Sequence, residues 1–286
     1  MDATLIRRLA RGLEPIHAMV YFAPEAEREY TRAGLKPGRM GYFASRSAPM
    51  GAVSAGVVAA TFYNFNPEQV ARHVPAAWSL AEPASLLSAR MAAADTALRR
   101  LLGDEALASP ELAEAAELAR RAALACRPEG RPLAAGHLEQ DWPAEPHLML
   151  WHAASILREY RGDGHVSALV GAGLTGLQAL ITHTASGRGF LVAFALASRG
   201  WSERQWDDAS AELRDLGLLD HAGTLTERGN ELRERLEADT DRSATQPWKA
   251  LGEADSARLA ELATGLSRAL VAAGCFPAEG VFAPRR

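Results

Sequence analysis

The amino-acid sequence predicts a mostly α-helical protein that is internally duplicated into two related halves. Alanine, leucine, glutamate and arginine dominate its 286 residues, and all four are strong helix formers. Runs that alternate apolar and polar residues, as half-buried strands do, are scarce. One pattern of polar and aromatic residues occurs twice, at a spacing of 130 residues. These three observations together favour an all-helical, two-part architecture.

The composition excludes several classes of protein. With 48% hydrophobic and 23% charged residues, the chain is typical of globular proteins and not of disordered ones. A formal net charge of −4 argues against a protein that binds nucleic acid through overall positive charge. The first residues lack the continuous apolar run of a signal peptide, so we expect no export.

The most apolar stretch, 166–181, is predicted to be a buried core segment. As a helix it would cover about 24 Å, less than the ~30 Å of a bilayer's hydrocarbon layer. Cys126 and Cys275 are the only cysteines and form no CxxC motif. This excludes a disulfide framework and favours free thiols. The sequence therefore predicts a cytoplasmic protein that makes no membrane contact.

Proline and glycine clusters mark the predicted helix boundaries, and the segment 109–126 is the clearest example. Ser109 is a suitable N-cap residue, Pro110 would occupy the first helical position, and Glu111 would follow in the first turn. The sequence therefore predicts a helix that begins directly after Ser109.

The predicted duplication depends on residues that match in the same order along the chain. A shift of 130 residues places His17 on His147 and the Arg-Glu-Tyr run 28–30 on the run 158–160. The halves would be 1–135 and 136–286. A single chain would then imitate a two-fold dimer, with a ligand cavity between its halves. Coincidence between amphipathic helices is the alternative explanation.

The second half carries a helical order that predicts a winged-helix segment at 190–238. A short helix would end near Gly200. Ser202 would cap the next helix together with Gln205, and that helix would stop at Gly217. Apolar pieces around an Ala-Gly turn at 218–225 predict a small β-hairpin wing before another long helix. The first half is expected to hold a degenerate segment of this kind.

Two family resemblances follow from these residues. The runs LRDLGLLD (213–220) and LTERGNELRERL (225–236) resemble the winged-helix part of the MarR family of regulators. More broadly, the chain resembles an actinobacterial helix-turn-helix family of unassigned function. The runs that carry this resemblance are GRMGYFASR (38–46), ATFYNFNP (60–67), LREYRGDGH (157–165) and RGWSERQW (199–206). The MarR resemblance implies a DNA-binding transcription regulator.

The charges of the predicted recognition helix argue against contact with DNA. Residues 203–216 hold five acidic and two basic residues, and phosphates would repel that helix. The turn at 220–223 has no Arg or Lys. We therefore expect packing or self-association from this segment. If DNA is bound, the helix predicted at 83–102, with Arg90, Arg99 and Arg100, is the better candidate.

The segment 145–165 contains the most unusual cluster of titratable residues. His152, Ser155 and Glu159 share one helical stripe, and the glycine-rich run 161–165 predicts a tight turn. If the protein is an enzyme, the candidate catalytic residues are His152, Asp163 and His165. A buried ion network that joins two helices is the alternative interpretation.

The candidate ligand-binding residues combine this cluster with aromatic residues of the first half. Aromatic rings suit a flat apolar ligand, and arginine would hold an anionic group. These candidates are His17, Tyr21, Tyr42, Phe43, Arg46, Tyr63, Asn64, Glu159, Arg161 and His183. No H-x3-H pair or HExxH motif is present, so we assign no metal ligands, and no cofactor is indicated.

The sequence thus favours a cytoplasmic small-molecule-binding protein of the ligand-sensor type. Its partner would be an aromatic or anionic small molecule bound between the halves. The chain would be a monomeric pseudo-dimer or a homodimer. Two alternatives stay open, namely a MarR-like DNA-binding regulator and an enzyme that uses the cluster at 152–165.

Overall fold

A computed structural model describes residues 1–277 and 281, and these residues are mostly helical. Sixteen α-helices and two 3-10 turns account for the regular structure of the described residues. The helices are α1 (Ala3–Ala18), α2 (Pro24–Arg32), α3 (Arg39–Ser47), α4 (Ala55–Phe62), α5 (Pro67–Ala71), α6 (Val74–Trp78), α7 (Pro83–Leu107), α8 (Pro110–Leu124), α9 (Pro132–Leu138), α10 (Pro146–Gly171), α11 (Gly176–Ala185), α12 (Val192–Arg199), α13 (Glu203–Asp215), α14 (Glu227–Ser243), α15 (Gln246–Leu251) and α16 (Glu253–Ala272). The 3-10 turns are Met19–Tyr21 and Ala48–Met50.

The chain divides into two compact units. Unit 1 consists of residues 1–53, 73–164 and 241–276. Unit 2 consists of residues 54–72 and 165–240, with the described residues from Pro277 onward. Each unit therefore draws on segments from both sides of residue 135. The internal duplication, with halves 1–135 and 136–286, stays a prediction.

Unit 1 is a helical assembly in which the first and last helices of the chain pack side by side. Leu9 and Leu13 of α1 and Leu259 and Ala263 of α16 are all buried. Elsewhere α2 packs on α7, and α15 and α16 pack on α8. The helix predicted after Ser109 is confirmed, because the Ser109 hydroxyl accepts a hydrogen bond from the Leu112 amide at the start of α8.

Unit 2 contains a helix-turn-helix arrangement formed by α12 and α13. Helix α12 ends at Gly200, whose φ of +75° is left-handed. The predicted capping box at Ser202 and Gln205 then begins α13. The apolar core of unit 2 includes Leu177 and Leu180 of α11 and Leu213 of α13.

The predicted β-hairpin wing is wrong, and with it the winged-helix part of the predicted fold class. The described residues contain no β-strand, and the predicted wing has only one isolated bridge, between Leu219 and Leu225. Two backbone hydrogen bonds cross the segment between α13 and α14, from the Asp220 amide to the Thr224 carbonyl and from the Thr226 amide to the Leu218 carbonyl, and they are too few to form a strand ladder. The Thr226 hydroxyl donates to the Gly217 carbonyl and accepts from the Gly229 amide at the start of α14. Between them, Asp220 accepts two backbone N–H groups and closes a tight turn.

The tight turn predicted at 161–165 is also wrong, because α10 continues through it to Gly171. Gly162 and Gly164 have no positive φ, and Gly164 serves close packing instead. A Cβ on Gly164 would lie 2.5 Å from the Arg131 guanidinium and 2.5 Å from the Ser243 hydroxyl. The glycines therefore mark a crowded helix surface and not a chain reversal.

Among the described residues, no single helix is both long and apolar enough to cross a bilayer. Only α10 and α11 together meet the length and composition criteria, and they are bent by 102° relative to each other. The predicted core segment 166–181 includes the buried residues Leu169, Leu174, Leu177 and Ile181.

Candidate functional site

A buried cluster of charged, hydroxyl and aromatic side chains lies inside unit 1. We call it the Arg90 cluster. It contains residues of α1, the first 3-10 turn, α3, α7 and α10, namely His17, Tyr21, Tyr42, Arg46, Arg90, Trp151, Ser155, Arg158 and Glu159. His17, Ser155, Arg90 and Glu159 are each at most 1% exposed. A polar group of this kind inside a helical core needs partners within the protein.

Glu159 is the negative centre of the cluster. Its carboxylate accepts two hydrogen bonds from Arg46, at 2.9 Å from Nε and 3.0 Å from Nη2. The Arg158 Nη1 donates a third, at 2.7 Å. Burial alone would raise the pKa of Glu159, but Arg158 and Arg46 hold this pKa well below its ordinary value of 4.5. Glu159 is therefore an anion, held by two guanidinium groups.

A chain of hydrogen bonds with one possible direction crosses the cluster. The Ser155 hydroxyl donates to the Trp151 carbonyl at 2.9 Å, so its oxygen accepts from His17 Nδ1–H at 2.9 Å. His17 Nε2 then accepts from the Tyr21 hydroxyl at 3.1 Å, and the Tyr21 oxygen accepts from Arg90 Nη2 at 3.0 Å. These bonds require His17 to be neutral. Burial lowers the pKa of His17 well below 6.5, in agreement with this assignment.

Arg90 has fewer partners than its burial requires. Its guanidinium lies 4.9 Å from the centre of the Tyr21 ring and 5.3 Å from that of the Trp151 ring. Only Nη2 is bonded, and among the described residues no acceptor reaches Nε or Nη1. Arg46 and Arg158 share Glu159, and Arg158 also lies 3.6 Å from the Glu14 carboxylate. The cluster therefore has one buried guanidinium, that of Arg90, to which no carboxylate of the described chain hydrogen-bonds; Tyr21 and the more distant charge of Glu159 stabilise its charged form and keep its pKa raised.

Two more buried histidines lie in unit 1. The rings of His137 and His152 are 6.3 Å apart, and Trp142 packs edge-on against His152 at 4.9 Å. Nε2 of each histidine is buried and lacks a hydrogen-bond partner in the part of the chain that the structure describes. Burial lowers the pKa of His137 to about 3 and that of His152 to about 4. Both imidazoles are therefore neutral at pH 7.

Because these histidines stay neutral in the folded protein, we expect its free energy of unfolding to decrease as the pH falls. The unfolded chain protonates its imidazoles below about 6.5, whereas the folded protein keeps His137, His152 and His183 neutral until about pH 3 to 4. The stabilisation is present above pH 6.5 and decreases as the pH falls towards 4. Asp163 acts in the opposite direction and offsets part of the loss, because burial raises its pKa to about 6.

We therefore expect the urea midpoint of unfolding to be lower at pH 5.5 than at pH 7.5. The variant His152→Phe should show a weaker dependence on pH, because one buried imidazole is gone. His221→Gln, in an exposed turn, is the matched control and should keep the full dependence. A midpoint that does not change between the two pH values would contradict the prediction.

The remaining candidates of the segment 145–165 in unit 1 have structural partners. The Asp163 carboxylate accepts the backbone N–H groups of Leu133 and Ala134 at 3.1 and 2.9 Å, and so caps α9. Arg161 donates to the Asp241 carboxylate at 3.0 Å. These contacts match the alternative interpretation of a buried ion network.

The candidate Phe43 lies beside the Arg90 cluster. Its ring packs edge-on against Tyr42 at 5.5 Å and is stacked on His73 at 5.6 Å. Phe43 is fully buried, so in this structure it serves the core of unit 1.

Four predicted site residues lie in unit 2 and do not join the cluster. His165 Nδ1 shares a hydrogen bond of 2.8 Å with the Thr240 hydroxyl. His183 Nδ1 accepts from Arg233 at 3.2 Å. The Tyr63 hydroxyl donates to the Leu174 carbonyl, and the Asn64 carbonyl accepts from the Trp201 indole at 2.9 Å. The structure thus brings together His17, Tyr21, Tyr42, Arg46 and Glu159 of the predicted ligand-binding set.

The arginines expected to face DNA on the helix at 83–102 have other partners. Arg90 is buried in the cluster described above. Arg99 pairs with Asp95 at 2.9 Å, and Arg100 pairs with Glu25 at 2.6 Å. The side chains of Arg99 and Arg100 are thus paired with carboxylates, and binding of DNA by this helix stays an untested alternative.

Sequence reasoning missed Arg90 as a site residue, although a signal was present. Leu86, Arg90, Ala93 and Ala97 follow a helical period, and all four are buried in α7. An arginine inside a stripe of small apolar residues indicates a buried charge. Arg158 was missed because it directly precedes Glu159, and neighbours in a helix usually face different directions.

The described residues hold no group of three or more side chains that could bind a metal ion.

Comparison with known proteins gives one match. The sequence model of a helix-turn-helix family matches residues 6–277, which is nearly the whole chain. No curated protein and no solved structure matches it. The α12–α13 pair agrees with the family match, and the chain belongs to this helix-turn-helix family.

Proposed function

We propose that this helix-turn-helix protein binds a small organic anion at the Arg90 cluster and acts as a ligand sensor. One observation carries the proposal. The Arg90 guanidinium is 1% exposed, and its Nε and Nη1 have no acceptor among the described residues. Buried guanidinium N–H groups without an acceptor are costly, and an anionic ligand would supply the missing acceptors.

The surroundings of Arg90 support a flat, carboxylate-bearing ligand. Guanidinium groups match the geometry of carboxylates and phosphates. Tyr21 and Trp151 lie against the guanidinium, so a planar ligand bound to its unbonded N–H groups would meet aromatic side chains. Glu159 is already saturated by Arg46 and Arg158, so it does not compete for Arg90.

A role in binding is better supported than a role in catalysis. Both ring nitrogens of His17 are bonded, and Asp163 is occupied by the amides of α9. Neither group is placed to exchange a proton with a substrate. The hydrogen-bond chain from Arg90 to Trp151 instead holds the guanidinium in one orientation, as a preorganised binding group requires.

The test uses thermal unfolding in the presence of benzoate, phenylacetate or inorganic phosphate. We expect at least one of these anions to raise the Tm of the unmodified protein. Arg90→Met should abolish this shift, because the guanidinium that would bind the anion is gone. Arg90→Lys should keep a reduced shift, since the charge remains.

Arg99→Met is the matched control. Arg99 lies on the same helix, and its side chain is 48% exposed. The proposal predicts an unchanged anion response in this variant. A response that survives Arg90→Met, or the absence of any response to all three anions, would contradict the proposal.

Membership of a helix-turn-helix family is compatible, at a coarse level, with a second candidate, a DNA-binding regulator. The α12–α13 pair has the general order of a DNA-binding helix-turn-helix. The acidic residues of α13, however, would repel the phosphates of DNA. Glu203, Asp207, Asp208, Glu212 and Asp215 are all exposed on this helix. Fluorescence anisotropy with labelled duplex DNA separates the candidates. Specific, salt-sensitive binding would support the regulator, whereas a ligand sensor is expected to act without binding DNA itself.

A further inference from the structure

Unit 2 contains a groove of about 650 Å³ that the proposed function does not use. Residues of α4, α11 and α13 line it, with Ala59 and Leu177 among its apolar residues. Tyr63 and Trp201 provide aromatic surface, and Asp208 and Glu212 provide negative charge. The volume lies in the range of sites that hold small organic molecules. From this groove we propose a second binding site, for an organic cation with an aromatic body.

The neutral polar groups of the groove are already engaged. Trp201 donates its indole N–H to the Asn64 carbonyl, and Tyr63 donates its hydroxyl to the Leu174 carbonyl. Thr175 and Gln205 belong to the capping boxes of α11 and α13. Local structure therefore uses these groups, and they are not available to orient a ligand.

The carboxylates of Asp208 and Glu212, unlike these neutral groups, keep acceptor atoms that local structure does not use. Glu212 accepts one hydrogen bond, from Gln178 at 2.9 Å through Oε2, and Oε1 has no bond of this kind to any described residue. The Asp208 side chain is 71% exposed, and its nearest cation among the described residues, Arg204, is 3.8 Å away. None of the described residues that line the groove is basic. The groove therefore offers hydrogen-bond acceptors and negative charge, and an ammonium group is their complement.

The aromatic side chains favour the same class of ligand. The hydrogen bonds of Trp201 and Tyr63 fix both rings, and the faces of aromatic rings attract organic cations. A ligand such as an arylalkyl ammonium would place its ring on the apolar residues and its charge near Asp208 and Glu212. Carboxylate ligands would be repelled at this groove, in contrast to the Arg90 cluster.

The experiment measures the affinity of 2-phenylethylammonium by isothermal titration calorimetry on the full chain. The double variant Asp208→Asn/Glu212→Gln should bind it at least about tenfold more weakly. The matched control is Glu203→Gln/Asp207→Asn, which removes two exposed charges from the same helix outside the groove. The control should change the affinity less than about threefold, which bounds the long-range effect of net charge.

Two further measurements complete the test. Ala59→Met should fill the groove and weaken binding without any change of charge. Arg90→Met should leave the affinity for the cation unchanged, so failure of this inference is distinguishable from failure of the anion site. No binding by the unmodified protein would overturn the inference. An equal loss in the groove variant and its control would also overturn it.

Discussion

Replacing Glu159 with glutamine is expected to lower the free energy of unfolding by about 3–5 kcal/mol, the range found when one partner of a buried ion pair is removed. Glu159 is the carboxylate that compensates Arg46, whose side chain is 9% exposed. Glutamine has almost the same volume but no charge, so packing loss contributes little. Urea denaturation followed by circular dichroism measures the effect.

Two variants separate this charge effect from a general sensitivity of the protein. The double variant Arg46→Met/Glu159→Leu should recover much of the lost stability, because the Arg46 charge is removed with its partner and Arg158, the other partner of Glu159, keeps the Glu14 carboxylate at 3.6 Å. Glu117→Gln breaks the exposed pair with Arg120 and should leave the stability almost unchanged. A Glu159→Gln protein as stable as the Glu117→Gln protein would show that the buried network is not structural.

Replacing Gly176 with alanine is expected to destabilise unit 2 by about 3 kcal/mol or more, because a backbone atom occupies the space of the new methyl group. A Cβ at this position would lie 1.8 Å from the Tyr63 carbonyl oxygen. Tyr63 is itself held at a φ of +54°, which a non-glycine residue rarely adopts. The backbone at Tyr63 therefore has little freedom to move away.

Gly171→Ala is the matched control, since a Cβ added to Gly171 would meet no described atom within 4 Å beyond its own stretch of helix. Gly171 ends α10, and alanine there should be neutral or slightly stabilising. Hydrogen–deuterium exchange reports the difference locally. Faster exchange of the α11 amides is expected only in Gly176→Ala. Equal exchange in the two variants would mean that the contact with Tyr63 is not as close as described.

Local signals in the sequence predicted the helices well, because the caps that begin helices depend on residues that are close in sequence. The N-cap at Ser109 and the capping box at Ser202 and Gln205 are present as predicted. The glycines of 161–165 were misread because glycine serves both turns and close packing. Only the long-range contacts of Gly164 with Arg131 and Ser243 decide between these roles. The predicted wing is wrong because the segment 218–225 closes into a tight turn at Asp220 that leaves room for one isolated bridge and for no pair of strands.

The candidate site was only partly predictable. The stripe of Ser155 and Glu159 on α10 was visible from helical spacing, and Arg46 was a reasonable partner for an anion. That Arg46 pairs with Glu159, 113 residues away, follows from tertiary packing and not from local pattern. Arg90 carried a charge and was therefore assigned to a surface, although its neighbours on α7 follow a buried period.

The packing of α1 against α16 has a consequence for synthesis of the chain. The face of α1 that includes Leu9 and Leu13 is covered by residues near 259 and 263. At roughly 5–20 residues per second, a ribosome needs on the order of ten seconds or more between these helices. During that interval the apolar face of α1 has no native partner. We therefore expect unit 1 to complete its fold only after α16 has emerged, and until then the apolar face of α1 is open to other contacts.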